Sequence, residues 1–304
     1  MFRLLGGLAD VFALIAAGYL LYRARFLPAE FWPPAERLTY YVLLPALLVS
    51  RMAVAPLGGL NIGAMAGVLV ATVCLAGGLV WLLRSREPSF GPAFTSLFQG
   101  SIRPNTYVGI ASAMALYGDH GLTLAAIALA ILVPVVNVLS VVMLQRYGTG
   151  DSSRSVLSEV VRNPLVLASL AGIGLNLSGI GMAGVAHRLL DMLGRAALPM
   201  GLMAVGAGLD WARAWSERRS LVLVSGYRLL AVPLAAAGLC VAFGLRGETA
   251  TVAVLFTGVP ASASSYILAR QLGGDTRLMA GILTVQTAMA AFTLPAVLLL
   301  AARL

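Results

Sequence analysis

Residues 94–117 read FTSLFQGSIRPNTYVGIASAMALY, an apolar stretch long enough to cross a bilayer, with an arginine, a proline and an asparagine near its centre. Pro104 has no backbone N–H, and its ring collides with the carbonyl of Gly100, which predicts that no continuous helix runs through this point. The proline also pushes Arg103 towards extended geometry. Asn105 and Thr106 carry side chains suited to capping a restarted helix. The expectation is two half-helices with an unwound joint between them. In a membrane such a joint survives only where protein buries it or where it lines a polar cavity.

Arg103 sharpens this reading. It lies roughly 16 Å from the ends of the span at 1.5 Å per residue, too deep for its side chain to reach the headgroups comfortably. A central arginine costs about 2.5–3.5 kcal/mol on insertion scales, so an arginine retained there is expected to have a task. The N-terminus of the restarted half-helix carries positive partial charge, and together with the guanidinium it favours an anion. The alternative is an arginine that pairs with backbone carbonyls only to brace the kink.

The whole chain supports a membrane setting. Its 304 residues are 60% hydrophobic and 11% charged, with mean hydropathy +0.91, outside the range of soluble globular domains. The net charge of +9 comes from 21 arginines spread through short loops, with no clustered basic stripe, so nucleic acid is not expected as a partner. Cys74 and Cys240 both lie in apolar stretches and read as small buried hydrophobes. His120 and His187 are placed in separate loops, which makes a structural zinc site implausible. The N-terminal run MFRLLGGLADVFALIAAGYLLY is apolar for too long to be a signal peptide and is expected to stay as a first span. No soluble domain is expected on either side of the membrane part.

At about 20 residues per span, ten spans are expected, at residues 5–22, 36–54, 62–83, 92–117, 121–145, 163–179, 186–209, 220–244, 248–270 and 276–302. Thirteen arginines follow the odd-numbered spans, five lie on the other face, and Arg103, Arg195 and Arg228 sit within spans. The excess of positive residues marks the cytoplasmic side, so both termini are expected outside the cytoplasm, in a multi-pass protein of the cytoplasmic membrane. The longest polar connection, residues 146–162, reads as a cytoplasmic linker between halves 1–145 and 163–304. A shift of 156 positions places Pro104 on Pro260, Ala113 on Ala269, Leu116 on Leu272, Gly118 on Gly274 and Asp119 on Asp275 without a gap. With five spans per half, the two copies must have opposite topology, the inverted-repeat plan of many secondary transporters. The fold class expected is therefore an all-α polytopic membrane protein of two inverted five-helix repeats.

The second copy of the joint reads LFTGVPASASSYILARQLGGD: Gly258 and Pro260 break the ninth span, and Ser262, Ser264 and Ser265 place hydroxyls around the restart. Paired broken spans in two halves are the best sequence pointer to a transporter's binding site. Asn137 and Gln286 fall near the middles of the fifth and tenth spans, where each either faces the crossing or makes an interhelical hydrogen bond. Asp191 and Arg195, four apart, suit a helix-surface ion pair. For Arg228 a lipid contact, a local pair and assistance to an anion all stay open, and Asp10 is expected near the outer face.

The pieces RPNTYVGIASAMALYGDHG, NPLVLASLAGIGLNL, LPMGLMAVGAGLD, TGVPASASSYILARQLGGD and LTVQTAMAAFTLP, in this order and spacing, resemble the auxin efflux carrier family of membrane transporters, in which bacterial members carry small carboxylates. The resemblance covers nearly the whole chain. It implies that the fourth and ninth spans cross at their prolines. It also implies a scaffold of spans 1, 2, 6 and 7, a transport domain of spans 3, 4, 5, 8, 9 and 10, an elevator motion and a homodimer. The long cytoplasmic loop of the larger plant members is absent from this sequence, and auxin is not carried over as the ligand. The expected substrate-binding set is Arg103, Pro104, Asn105, Thr106, Tyr107, Asn137, Gly258, Pro260, Ser262, Ser264, Ser265 and Gln286.

No Ser-His-Asp or Cys-His set, phosphate loop, metal spacing or pair of membrane carboxylates is visible, so an enzyme is not expected and no cofactor is assigned. The function expected is secondary transport of a small organic anion, a mono- or dicarboxylate. An anion channel and a non-transporting membrane sensor or scaffold are the rivals. Whether sodium or a proton couples to transport stays open.

Overall fold

The computed structural model describes residues 2–56, 58, 60–84, 90–150, 163–180, 182, 184–214 and 218–302. Helix α1 spans Phe2–Arg23. Helix α2, Trp32–Leu38, runs through one π turn, Thr39–Leu43, into α3, Leu44–Met52. Then come α4, Ile62–Leu82, and α5, Gly91–Ile102. The long run α6, Thr106–Tyr147, is split at Gly118, whose φ of 58° and ψ of −137° no helix contains. There follow α7, Pro164–Leu177; α8, Gly184–Ala207; the single turn α9, Trp211–Ala214; and α10, Arg218–Gly226. A second π turn, Tyr227–Ala231, leads into α11, Val232–Ala242. The chain ends with α12, Gly247–Gly258; α13, Ser264–Leu272; and α14, Thr276–Ala301.

Both π turns have the same local cause. Pro45 and Pro233 each sit on the second residue of the helix that follows, and a proline ring collides with the carbonyl four residues back. Those carbonyls, of Tyr41 and Leu229, lie inside the π turns, where the wider turn gives the ring room. The helix axis continues through both prolines.

Among the described residues, six helical stretches are long and apolar enough to cross a membrane: Gly6–Arg23, Ile62–Leu82, Thr106–Tyr147, Gly184–Ala207, Ser220–Ala242 and Thr276–Ala301. Large apolar side chains such as Leu82, Leu177, Met192, Leu223 and Phe292 point outward, Phe292 at 82% exposure. Water would penalise such a surface and a bilayer does not. The molecule is a multi-pass membrane protein whose described elements are all helical.

The chain folds as two compact units, one of residues 1–60, 107–130 and 161–208, the other of 61–106, 131–160 and 209–304. In the first, α1 and α8 approach closely enough that a Cβ on Gly18 would run into the backbone of Met203, and one on Gly206 into that of Ile15. Asn163 accepts from the N–H groups of Leu165 and Val166 and so caps α7. Asn176 donates to the carbonyls of Met52, the last residue of α3, and of Ala55 just beyond it, and so ties the end of that helix to α7. The Asp191–Arg195 pair expected along one helix face is present at 2.8 Å, and Arg51 on α3, which reaches both Asp191 and Asp119 at 2.9 Å, extends it to two further helices.

In the second unit, Leu221, Val224, Ala261, Leu278, Met279 and Ile282 form one buried cluster, and Val141, Leu144, Leu268 and Leu272 another. The Gly273 C-cap of α13, at φ 74°, lets Thr149 and Gly150 bond to the carbonyls of Gly273 and Leu272.

Three expectations need correction. Cys74, expected as a small buried hydrophobe like Cys240, is exposed on α4, since an apolar stretch in a bilayer can turn a small apolar side chain to lipid as well as to protein. His120 and His187 lie within α6 and α8 and not in loops: the only interruption before His120 is the single residue Gly118, and His187 already falls inside the expected seventh span, which starts as helix at Gly184. The expected linker at 146–162 begins as helix through Tyr147; its residues 151–162 lie outside the described residues.

Candidate functional site at the paired helix breaks

Pro104 and Pro260 each end a helix, and in each case the residue before the proline is extended. Arg103 has φ −86° and ψ 112°; Val259 has φ −69° and ψ 153°. That is the steric demand of the proline ring on its predecessor. The two extended segments then pair as one antiparallel bridge, Pro104 with Ala261. The Asn105 N–H donates to the Pro260 carbonyl at 2.8 Å, and the Ser262 N–H to the Arg103 carbonyl at 3.3 Å. Pro104 occupies the position of this bridge that spends no N–H on its partner, so a residue without one costs nothing there.

A proline in a helix also strands the carbonyl four residues before it. For Pro104 that carbonyl belongs to Gly100, and it accepts from Gln286 Nε2 at 3.0 Å. The same amide takes the Ala261 N–H on its Oε1 at 2.8 Å. For Pro260 the stranded carbonyl is that of Phe256, and it accepts from Arg228 Nη2 at 3.2 Å. Arg228 also donates through Nη1 to the Ser101 carbonyl at 3.3 Å and through Nε to the Val259 carbonyl at 3.1 Å. Asn105 spends its N–H on Pro260, so Ser101 has lost its helical donor too. The side chain of Arg228 is 1% exposed.

Arg103 does something different. Its Nη2 donates to Ser264 Oγ at 3.0 Å, and Ser264 Oγ lies 2.9 Å from Ser262 Oγ. A guanidinium and two hydroxyls thus meet where α13 begins, beside a helix N-terminus that carries positive partial charge. Planar guanidinium donors, hydroxyls and a helix N-terminus are the groups that recognise a carboxylate. Arg103 is buried, as are Asn105 and Thr106.

The structure therefore brings Arg103, Pro104 and Asn105 together with Pro260, Ser262, Ser264 and Gln286. Gly258 ends α12 against Pro233 and Leu294. Ser265 is fully buried, with its N–H on the Ser262 carbonyl. Thr106 is the first residue of α6. Tyr107 belongs to the other compact unit, its ring packed on Gly201. Asn137 is buried in α6, and among the described residues no hydrogen bond links it to the joint. No group of three or more metal-ligating side chains occurs among the described residues.

Sequence reasoning assigned the bracing task, as an alternative, to Arg103, and left Arg228 open. The signal that identifies Arg228 was present: two prolines imply two stranded carbonyls, and buried backbone groups require partners. Counting donors for the carbonyls of Gly100 and Phe256 points to a buried amide and a buried guanidinium on other helices.

A family model described as membrane transport protein matches residues 149–298 of this chain. Over 292 residues the chain is 26% identical to a protein of Methanothermobacter thermautotrophicus named as an uncharacterized transporter, and the match covers 94% of both chains.

Proposed function

We propose that the chain is a member of the auxin efflux carrier family of membrane transporters, a reading that the matches to a membrane transport protein model and to a transporter support, and that it is a secondary transporter of a small organic anion, a mono- or dicarboxylate, bound at the paired breaks. The observation that carries this reading is the buried Arg103 guanidinium hydrogen-bonded to Ser264 in the unwound joint. A buried ionisable group in a membrane protein is expensive unless it serves a pathway or a pair. Arg103, Asn105, Thr106, Ser262, Ser264 and Ser265 supply donors to the anion. Pro104, Pro260 and Gly258 keep the joint open, Gln286 holds its backbone, and Tyr107 and Asn137 are assigned to the margins.

The architecture proposed is ten spans in two inverted repeats of five. The helix breaks at prolines 156 residues apart support it, as does the split of α6 at Gly118, which divides one long run into a fourth and a fifth span. In this account spans 1, 2, 6 and 7 form the scaffold of a homodimer, and the remaining spans move against it as an elevator. Both termini lie outside the cytoplasm.

Counterflow in proteoliposomes tests the function. A carrier exchanges labelled anion faster when unlabelled anion is present on the far side; a pore gives no such acceleration. Arg103→Lys keeps the charge but loses the two-pronged geometry, so its apparent affinity falls at matched protein levels.

A further inference from the structure

We infer that Arg228 is a positioning residue of the joint: a tethered cation that holds both broken strands in place and cancels the negative ends of both incoming half-helices. Its three donors reach Ser101 near the end of α5 and Phe256 and Val259 at the end of α12. Two of the three carbonyls it serves are left open by the breaks, that of Phe256 stranded by Pro260 and that of Ser101 by the diversion of the Asn105 N–H; the third, of Val259, belongs to the extended residue before Pro260.

The charge matters as well as the hydrogen bonds. A helix C-terminus carries about half a negative elementary charge and an N-terminus half a positive one. Two C-terminal ends meet at the joint, and together they amount to about one negative charge, which a single guanidinium balances. Once balanced, they no longer oppose an anion. What then faces the substrate is the N-terminal start of α13 with Arg103 and the serines. On the transport reading above, Arg228 thereby sets the sign of the site without touching the substrate.

The π turn places the side chain. Tyr227–Ala231 precedes Pro233 by two residues, and Arg228 is its second residue. The Tyr227 hydroxyl is anchored to the Ala76 carbonyl at 3.0 Å, which fixes this turn against α4.

Two measurements on the purified, full-length protein test the inference. The first is hydrogen–deuterium exchange of wild type, Arg228→Gln and Arg228→Lys. Peptides covering residues 99–106 and 256–265 are expected to exchange on the order of tenfold faster in Arg228→Gln, because charged hydrogen bonds to the strands are lost. Arg228→Lys, with the charge but fewer directed donors, falls between. Peptides from α8 stay at the wild-type rate. The second is the kinetics of anion uptake, where KM rises roughly tenfold in Arg228→Gln and less in Arg228→Lys, while the maximal rate stays within about twofold. Wild-type exchange at the joints in folded Arg228→Gln overturns the inference, as does acceleration spread evenly over all peptides. A wild-type KM in that variant overturns the electrostatic part. The exchange measurement needs no substrate, so it decides the role of Arg228 even if wild type moves no organic anion and the transport reading fails.

Discussion

Two prolines remove two backbone donors, and two side chains on other helices put donors back. Gln286 is committed at both ends of its amide, to Gly100 and to Ala261. Gln286→Leu, of similar bulk, leaves a buried carbonyl and a buried N–H unpaired, a cost of about 1–3 kcal/mol each. A fall of several degrees in the apparent melting temperature is expected, and a melting temperature equal to wild type contradicts the pairing. Arg103 has the opposite character, since the hydroxyl it reaches is itself a donor and acceptor that a ligand can share. Arg103→Ala should leave the melting temperature close to wild type while abolishing anion-dependent stabilisation, read by thermal shift with a panel of small carboxylates. Equal ligand-induced shifts in Arg103→Ala and wild type exclude it from the site.

At the scale of elements, the break in each span was legible from one proline and its predecessor, because the steric rule is local. Which groups would repair the breaks was not. Gln286 and Arg228 lie 25 and 31 residues from their partners at 261 and 259 along the chain, and periodicity carries no information on which helix faces which. The π turns at Thr39–Leu43 and Tyr227–Ala231 were likewise not foreseen, although Pro45 and Pro233, each four residues after a carbonyl inside the turn, carry their cause. Replacing Pro104 or Pro260 with alanine restores a donor and favours continuous helix, at the expense of the Pro104–Ala261 bridge. Transport is expected to suffer more than assembly in both variants, and to a similar degree. Uptake at the wild-type level in both, at matched membrane abundance, removes the joint from the mechanism. A control belongs to the first unit: Gly18→Leu pushes α1 from Met203 on α8, so expression and melting temperature fall there without any specific loss of anion affinity.

For the whole molecule, composition and hydropathy sufficed to identify a multi-pass membrane protein, and the family match agrees. Orientation rests on the arginine asymmetry alone. A C-terminal reporter that works only in the cytoplasm is expected to stay silent, and a bright one means an odd number of crossings. Substrate choice was not legible, because it depends on how side chains from distant helices converge. The central claim is exchange of a small organic anion by a carrier, and labelled carboxylate counterflow into proteoliposomes tests it most directly. With wild type, unlabelled carboxylate trapped inside should accelerate entry of the label, and Arg103→Lys should require a higher concentration for the same rate. Entry that is fast but indifferent to trapped anion, or no entry of any carboxylate by a protein that is folded in the vesicles, contradicts the account.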